Sequence, residues 1–172
     1  MTSVLKVDNI QSSGGTAALS IDSNGVVTLS VLPAFRVALD AAQSVTTTAT
    51  QTVIWNDDDT DGQFIQGGFT LNKTTGVITV PYDGVYQFNY RLRLDNAASG
   101  YVHAYMSVNG NTTGNADSYS ITNAGAQYQQ LDASDVLLLT ANDTVKVEFN
   151  SSVDTSYSLS ADGCMFSALR LG

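Results

Sequence analysis

The residues best suited to chemistry form an acidic run over 56–62, with the sequence NDDDTDG. Its Asp-x-Asp-x-Asp-Gly spacing allows the carboxylates of Asp57, Asp59 and Asp61 to converge on calcium as the loop curls. The twelfth position, a glutamate in a helix-loop-helix calcium site, is Gly68 here, and no helical pattern flanks the run. The run therefore predicts either a calcium site or a solvated acidic connection between strands.

A single histidine and a single cysteine restrict the catalytic chemistry. His103 rules out a two-histidine metal site, and at a strand's period of two it shares a face with Tyr101 and Tyr105, which favours packing over catalysis. Cys164 lies in a mostly apolar run and cannot close an intrachain disulfide, so we expect a buried structural thiol. With no phosphate-cradling glycine loop and no paired-carboxylate site, we predict that the protein is not an enzyme.

Other side chains allow weaker hypotheses about ligands. Trp55, beside the acidic run, could stack on a sugar or could anchor the end of a strand. Asp132, Asp135 and Asp143 could line further metal sites, although their separation in sequence does not place them together. Apart from calcium, the sequence predicts no cofactor.

Composition and charge narrow the class of protein. The 172 residues suit one domain with a small extension, and only 13% of them are charged. The formal net charge is -9 and the few basic residues are scattered, which makes nucleic acid an unfavourable partner. No basic stretch leads into an apolar run, and no segment approaches the roughly 20 apolar residues of a membrane helix, so we expect no membrane insertion.

The elements that must position these residues are β-strands. Residues 84–94 form the clearest strand, in which Tyr86, Phe88 and Tyr90 fall on one face and require a partner sheet. We expect Val85 and Leu92 on the opposite face. From residue 33 onward, polar turns separate ten predicted strands: 33–39, 51–55, 67–72, 76–81, 84–94, 100–108, 127–131, 135–140, 144–149 and 157–171.

Residues 1–32 form a predicted separate segment. Two apolar pieces, 4–10 and 17–21, flank a Ser-Ser-Gly-Gly break, and the turn at 22–25 precedes a third apolar piece, which predicts a hairpin. A two-stranded hairpin is marginal in water, so it must dock on another surface. We expect attachment or trimerisation through its apolar side chains: Leu5, Val7, Ile10, Leu19, Ile21, Val27 and Leu29.

Five motifs in residues 33–172 resemble the globular head of complement C1q and its tumour-necrosis-factor-like jelly-roll relatives. They are PAFRVAL at 33–39, GVYQFNY at 84–90, YVHAYMSVNG at 101–110, VLLLTANDTVKVEF at 136–149 and CMFSALRL at 164–171. The resemblance implies an all-β jelly-roll sandwich and a homotrimer, and some family members bind calcium. Three heads around an axis could bury apolar faces that include Val85, Leu92, Phe35, Phe166 and Leu169 in a closed ring, whereas the alternative is an ordinary monomer core.

The segment SVLKVDNIQSSGGTAALSIDSNGVVTLS at 3–30 resembles the N-terminal segments of tailed-bacteriophage structural proteins. We therefore expect a virion protein, made in the host cytoplasm, that binds other virion proteins through residues 1–32. Its loops at 56–66, 95–100, 109–126 and 150–156 would recognise a host-surface glycan or protein. The alternatives are a capsid decoration trimer and a free bacterial glycan-binding protein.

Overall fold

The chain divides into two compact units, Met1–Leu32 and Pro33–Gly172. The computed structural model describes residues 9–11, 13–14, 17–21, 23–29, 32–45, 48–59, 62–97, 100–112, 117–122, 126–152 and 157–172. None of the helical segments in these ranges has the length and hydropathy of a membrane-spanning helix.

The N-terminal unit contains a three-stranded antiparallel sheet of β1 (Asn9–Gln11), β2 (Ala17–Ile21) and β3 (Val27–Leu29), in that order. The expected hairpin is β2–β3, and β1 pairs with the other edge of β2. Gly25 in the connecting turn has a φ of 80°, a conformation that glycine adopts without steric cost.

The structure describes only some of the residues that are expected to dock this unit on another surface. Ile10 and Ile21 are exposed and Leu19 is half-buried. Val27 and Leu29 lie in β3, whereas Leu5 and Val7 lie outside the described residues. Attachment through this segment stays a prediction.

The described residues of the second unit, the head, form thirteen strands and one short 3-10 helix at Ala161–Gly163. The strands are β4 (Ala34–Ala38), β5 (Gln43–Val45), β6 (Gln51–Thr52), β7 (Phe64–Gln66), β8 (Thr70–Asn72), β9 (Val77–Thr79), β10 (Gly84–Ala97), β11 (Gly100–Val108), β12 (Asp117–Thr122), β13 (Ala126–Leu139), β14 (Thr144–Ser151), β15 (Tyr157–Leu159) and β16 (Met165–Arg170).

These strands form two sheets. The β10 sheet has the order β5-β15-β10-β16-β4-β7, and β13 pairs along the free edge of β10. The β11 sheet has the order β12-β11-β14-β9-β8, and β6 pairs with β14. Consecutive strands along the chain often belong to different sheets, the connectivity of a jelly-roll sandwich, so the predicted fold class is confirmed.

The core lies between the two sheets, because one side chain in two along each central strand points inward. Tyr86, Phe88, Tyr90 and Leu92 of β10 are all buried. Phe88 stacks on Phe166 of β16 with ring centroids 5.9 Å apart. Aromatic burial of this kind supplies much of the stability of a small sandwich.

Three residues expected on a subunit face lie instead in the core of a single protomer. Leu92 is buried on the same side as Tyr86, because residues an even number apart in a strand share a face. Phe35 and Phe166 are also buried, with ring centroids 5.1 Å apart. For these three side chains the structure supports the alternative, an ordinary protomer core, and Leu92 lies on the face opposite to the one expected.

Strand boundaries differ from the sequence expectation where burial and alternation are weak. The two strands expected at 127–131 and 135–140 are one continuous β13, in which Gln130, Asp132 and Ser134 are exposed. The strand expected at 157–171 is divided by the 3-10 helix. Residues 67–68 are a turn with positive φ at Gly67 and Gly68, so β8 begins only at Thr70.

Candidate functional site

The outward face of the β10 sheet, the side away from the β11 sheet, ends in a group of apolar side chains. In the register, Val85 pairs with Leu138, and Gln87 pairs with both Val136 of β13 and Leu169 of β16. Leu138 is 81% exposed, Val136 55% and Leu169 42%. We call Val85, Val136, Leu138 and Leu169 the apolar end of this face.

Val85 and Leu169 were predicted from the sequence to lie on a face that three heads could bury, whereas Val136 and Leu138 were not. Their signal is the run Val136-Leu137-Leu138-Leu139, four consecutive apolar residues in one strand. Since side chains alternate between faces, a single sandwich core can bury only half of such a run. Leu139 is accordingly buried while Leu138 faces outward.

The acidic run connects β6 to β7 and is fixed by contacts to neighbouring strands. Backbone hydrogen bonds join the amide of Ala38 to the carbonyl of Asp57 at 2.9 Å, and the amide of Asp57 to the carbonyl of Ala38 at 3.2 Å. Lys73 forms an ion pair with Asp58 at 2.7 Å, and this hydrogen bond raises the pKa of Lys73. Asp59 is exposed.

The calcium site expected at Asp57, Asp59 and Asp61 stays a prediction. Within the described ranges, no group of three or more His, Cys, Asp or Glu side chains is close enough to hold a metal ion. Asp61 lies outside those ranges. The site therefore depends on a carboxylate whose placement the structure does not describe.

The three other candidate carboxylates are spread along β13 and the turn after it. Asp132 accepts a hydrogen bond from Nε2 of Gln130 at 3.0 Å, and Asp135 accepts one from the amide of Val136 at 2.8 Å. Asp143 lies in the turn between β13 and β14. The structure does not bring the three into one metal-binding group.

Asp143 is the centre of a hydrogen-bonded network that joins two turns. Nδ2 of Asn109 donates to its carboxylate at 2.7 Å, and the amide and hydroxyl of Thr140 donate at 2.7 and 3.0 Å. These bonds, first of all the one from Asn109, lower the pKa of Asp143. Oδ1 of Asn109 accepts the amide of Thr144 at 2.9 Å, so the network connects the ends of β11, β13 and β14.

Cys164 is buried, as expected, and is unsuited to nucleophilic chemistry. Burial raises the pKa of its thiol to about 11, because a thiolate would lose its hydration. Its Sγ accepts a hydrogen bond from the amide of Arg93 at 3.3 Å. The neutral thiol has the structural role that the sequence predicts.

His103 has the packing position that the alternation predicts. Its ring centroid lies 5.0 Å from that of Tyr105, whose hydroxyl lies 3.2 Å from Oγ1 of Thr50. His103 belongs to β11, whereas Cys164 immediately precedes β16 in the other sheet. The two side chains therefore do not form a cysteine-histidine pair.

The ring of Trp55 is not accessible to a sugar. It is fully buried and stacks on Phe166 with ring centroids 5.8 Å apart. Of the two roles considered for Trp55, the structure supports the anchoring of a strand end.

The four segments expected to be recognition loops are partly strand. Residues 64–66 belong to β7, 117–122 to β12, and the ends of 95–100 and 150–156 continue neighbouring strands. The sequence DSYSIT at 117–122 is polar, yet it pairs along the edge of β11 as strand β12. The loop surface is consequently smaller than expected.

The β10 sheet packed on the β11 sheet forms a jelly-roll sandwich. The C1q domain model matches residues 34–169, and the chain belongs to the C1q domain family. Domains of this class are generally non-enzymatic binding modules and typically form homotrimers.

Solved structures support the same fold. Murine APRIL at pH 5.0 is 14% identical in sequence, with a TM-score of 0.60, and the match covers 81% of this chain and 99% of that chain. Murine APRIL at pH 8.0 matches with a TM-score of 0.61 and the same identity and coverage. No curated protein matches the chain.

Proposed function

We propose that the head forms a homotrimer through the outward face of the β10 sheet. The observation that carries this proposal is the apolar end, where Val136 and Leu138 of β13 and Leu169 of β16 are exposed on either side of β10. Grouped apolar side chains on a folded surface indicate a protein interface. Three copies around an axis bury this patch in a closed ring.

The trimer acts as a non-enzymatic structural and recognition protein of a bacteriophage particle. Residues 1–32 attach three chains to other virion proteins, and the heads present their loops to a glycan or protein on the host surface. Support comes from the separation of the two units and from exposed Ile10 and Ile21 in the small N-terminal sheet. The assignment to a phage particle is supported by the resemblance of residues 3–30 to phage structural proteins.

A capsid decoration trimer is the second candidate, because the same attachment segment could grip a shell with no receptor for the head. A free bacterial glycan-binding protein is the third. All three functions use the same head, so the location of the protein distinguishes them.

Immuno-electron microscopy of purified particles, with an antibody against residues 33–172, tests the proposal. Label at tail tips supports a host-binding fibre, and label over the capsid supports decoration. Particles without label contradict the virion assignment and favour the free glycan-binding protein. A particle preparation from a strain that lacks the gene controls for antibody background.

A further inference from the structure

The outward face of the β11 sheet, the side away from the β10 sheet, carries three aromatic side chains in line along β11. Every second residue of this strand from Val102 to Met106 is fully buried in the core, so Tyr101, His103 and Tyr105 point outward. Tyr101 is 38% exposed, and the other two are half-buried. At the rise of a strand, the row is about 13 Å long. We call these three residues the aromatic column.

Contacts to neighbouring segments hold the aromatic column in place. The rings of His103 and Tyr105 contact each other with centroids 5.0 Å apart, and the hydroxyl of Tyr105 lies 3.2 Å from Oγ1 of Thr50. The amide of Tyr101 donates to Oγ of Ser152 at 2.8 Å, and the carbonyl of Tyr101 accepts the amide of Ser152 at 3.0 Å. The column is therefore ordered before a ligand arrives, which lowers the entropic cost of binding.

Polar side chains of β14 lie beside the aromatic column. In the register, Glu148 lies opposite Tyr105 and Asn150 lies opposite His103. Nζ of Lys146 lies 2.8 Å from Oε1 of Glu148, so this ion pair adds no net charge to the face. A carboxylate accepts hydrogen bonds, an ammonium donates them, and an amide does both. The face thus places aromatic rings beside hydrogen-bond donors and acceptors.

The composition of this face selects the class of ligand. Among the described residues of β11 and β14 that point outward, none has an aliphatic side chain, in contrast to the apolar end of the other sheet. The formal net charge of -9 on the chain disfavours an anionic ligand. A sugar ring stacks its C–H groups on the negative face of an aromatic ring, and its hydroxyl groups bond to side chains such as Glu148 and Asn150. We propose that the outward face of the β11 sheet binds a neutral linear glycan through the aromatic column.

The shape of the face favours an extended ligand. The solvated face of an antiparallel sheet is a shallow surface rather than an enclosed cavity. A column about 13 Å long spans more than one sugar ring. A chain of linked neutral sugars therefore makes contacts that a single sugar does not.

This site rests on the proposed recognition function and identifies its chemical target. It lies on the opposite side of the sandwich from the sheet face through which the trimer is proposed to close. Each trimer therefore presents three copies of the site, and a glycan with repeated units gains affinity when it occupies more than one. Alternation along β11 predicted the shared face of the three aromatic residues, whereas the positions of Glu148 and Asn150 depend on the register of β14.

Calorimetric titration of the full-length chain tests the site. The probes are maltohexaose, cellohexaose, mannohexaose and chitohexaose, with hexagalacturonate as the anionic comparator. The methyl glycoside of each sugar is the single-ring comparator. We expect at least one neutral hexasaccharide to bind, about tenfold or more tightly than its methyl glycoside, because one ring contacts only part of the column.

Variants of exposed tyrosines separate recognition from folding. Tyr101→Ala is expected to weaken binding about three- to tenfold, the effect of one aromatic contact, whereas Tyr101→Phe keeps the ring and is expected to retain the affinity. Tyr82→Ala is the matched control, because Tyr82 is also exposed but lies against Arg170 of the other sheet. Glu148→Gln removes a charged acceptor and is expected to weaken binding as well. Each variant is compared with the unaltered chain by thermal unfolding and by its oligomeric state.

Several outcomes overturn the assignment. Tighter binding of hexagalacturonate, no binding of any hexasaccharide, or equal losses in Tyr101→Ala and Tyr82→Ala each contradict a neutral-glycan site on this face. If no probe binds while the purified protein still blocks adsorption of particles to host cells, the glycan site is wrong and the recognition function stands. If a hexasaccharide binds but particles carry no label, the virion function fails and the glycan site stands.

Discussion

Gly76 lies closer to neighbouring backbone than the other described glycines that can be compared with it. It lies in the turn between β8 and β9 with a φ of 68°, and a Cβ placed on it would come within 2.0 Å of the carbonyl oxygen of Val53. Gly110 has a similar φ of 79° but has open space around it. Alanine substitutions at Gly76 and Gly110 therefore separate the free-energy cost of a left-handed backbone from the cost of a steric clash.

Gly76→Ala is expected to lower the free energy of unfolding by about 3 kcal/mol or more, because strain and overlap act together. Gly110→Ala is expected to lower it by about 1 kcal/mol, the cost of the left-handed conformation alone. Denaturant unfolding measures both. Equal losses in the two variants contradict the clash with Val53.

Asp143 gives the head a dependence of stability on pH. Its folded-state pKa lies below the ordinary value of 3.8, because the donors from Asn109 and Thr140 favour the ionised carboxylate. A group with a lowered folded pKa stabilises the fold above its unfolded pKa. This stabilisation is lost as the pH falls below 3.8 and through the lower folded value.

Asp143→Asn is therefore expected to cost about 1 kcal/mol near pH 7, after allowance for solvent screening, and much less near pH 2. Thermal unfolding of the variant and the unaltered protein at several pH values measures the difference. Asp132→Asn, which also removes one exposed carboxylate, serves as the control. A difference that stays constant with pH contradicts the network.

At the scale of elements, β10 and β13 connect the core to the proposed interface. β10 turns its aromatic side chains inward, and β13 pairs along almost its whole length. β13 is an edge strand of its sheet and turns Val136 and Leu138 outward. An exposed apolar edge strand would promote aggregation of a monomer. A partner subunit that covers this edge explains why it is apolar.

Leu138→Asp is expected to weaken the trimer without unfolding the protomer, because the native side chain is 81% exposed. Loss of one buried leucine costs about 2 kcal/mol at each of the equivalent contacts. Analytical ultracentrifugation over a dilution series measures the change. Tyr101→Asp, on the outward face of the β11 sheet, is the control, and an equal effect of both contradicts the assigned interface.

At the scale of the whole molecule, the two units are separable. The buried apolar core of the head lies entirely at or after Phe35 among the described residues, and the boundary between the two compact units falls between Leu32 and Pro33. A unit that holds its own core folds independently of its neighbour. Removal of residues 1–32 is therefore expected to leave the fold of the head intact.

A chain of residues 33–172 is expected to fold, to trimerise and to keep its denaturant midpoint, but to be absent from particles. Circular dichroism, ultracentrifugation and immunoblots of purified particles measure these properties. Full-length protein supplied in parallel is the control for incorporation. Truncated chains that still enter particles contradict attachment through residues 1–32.

Strands with a strong hydrophobic alternation could be predicted from the sequence, whereas strands with a weak one could not. Regular alternation in β10, and its Tyr86, Phe88 and Tyr90 stripe, predicted the strand and its buried face correctly. The short edge strands β5 and β7 were not predicted from the sequence, because three residues do not establish a period of two. Leu92 was assigned to the wrong face although the same alternation places it inward.

The sequence by itself determined the fold class, because alternation and turn residues are local properties of the chain. It also determined the buried state of Cys164, whose apolar neighbours are adjacent in the chain. Only the tertiary structure decided that Trp55 is enclosed and that Leu138 is open to solvent. Only the fold set Glu148 beside Tyr105, because they lie on different strands and no sequence spacing encodes the register across a sheet.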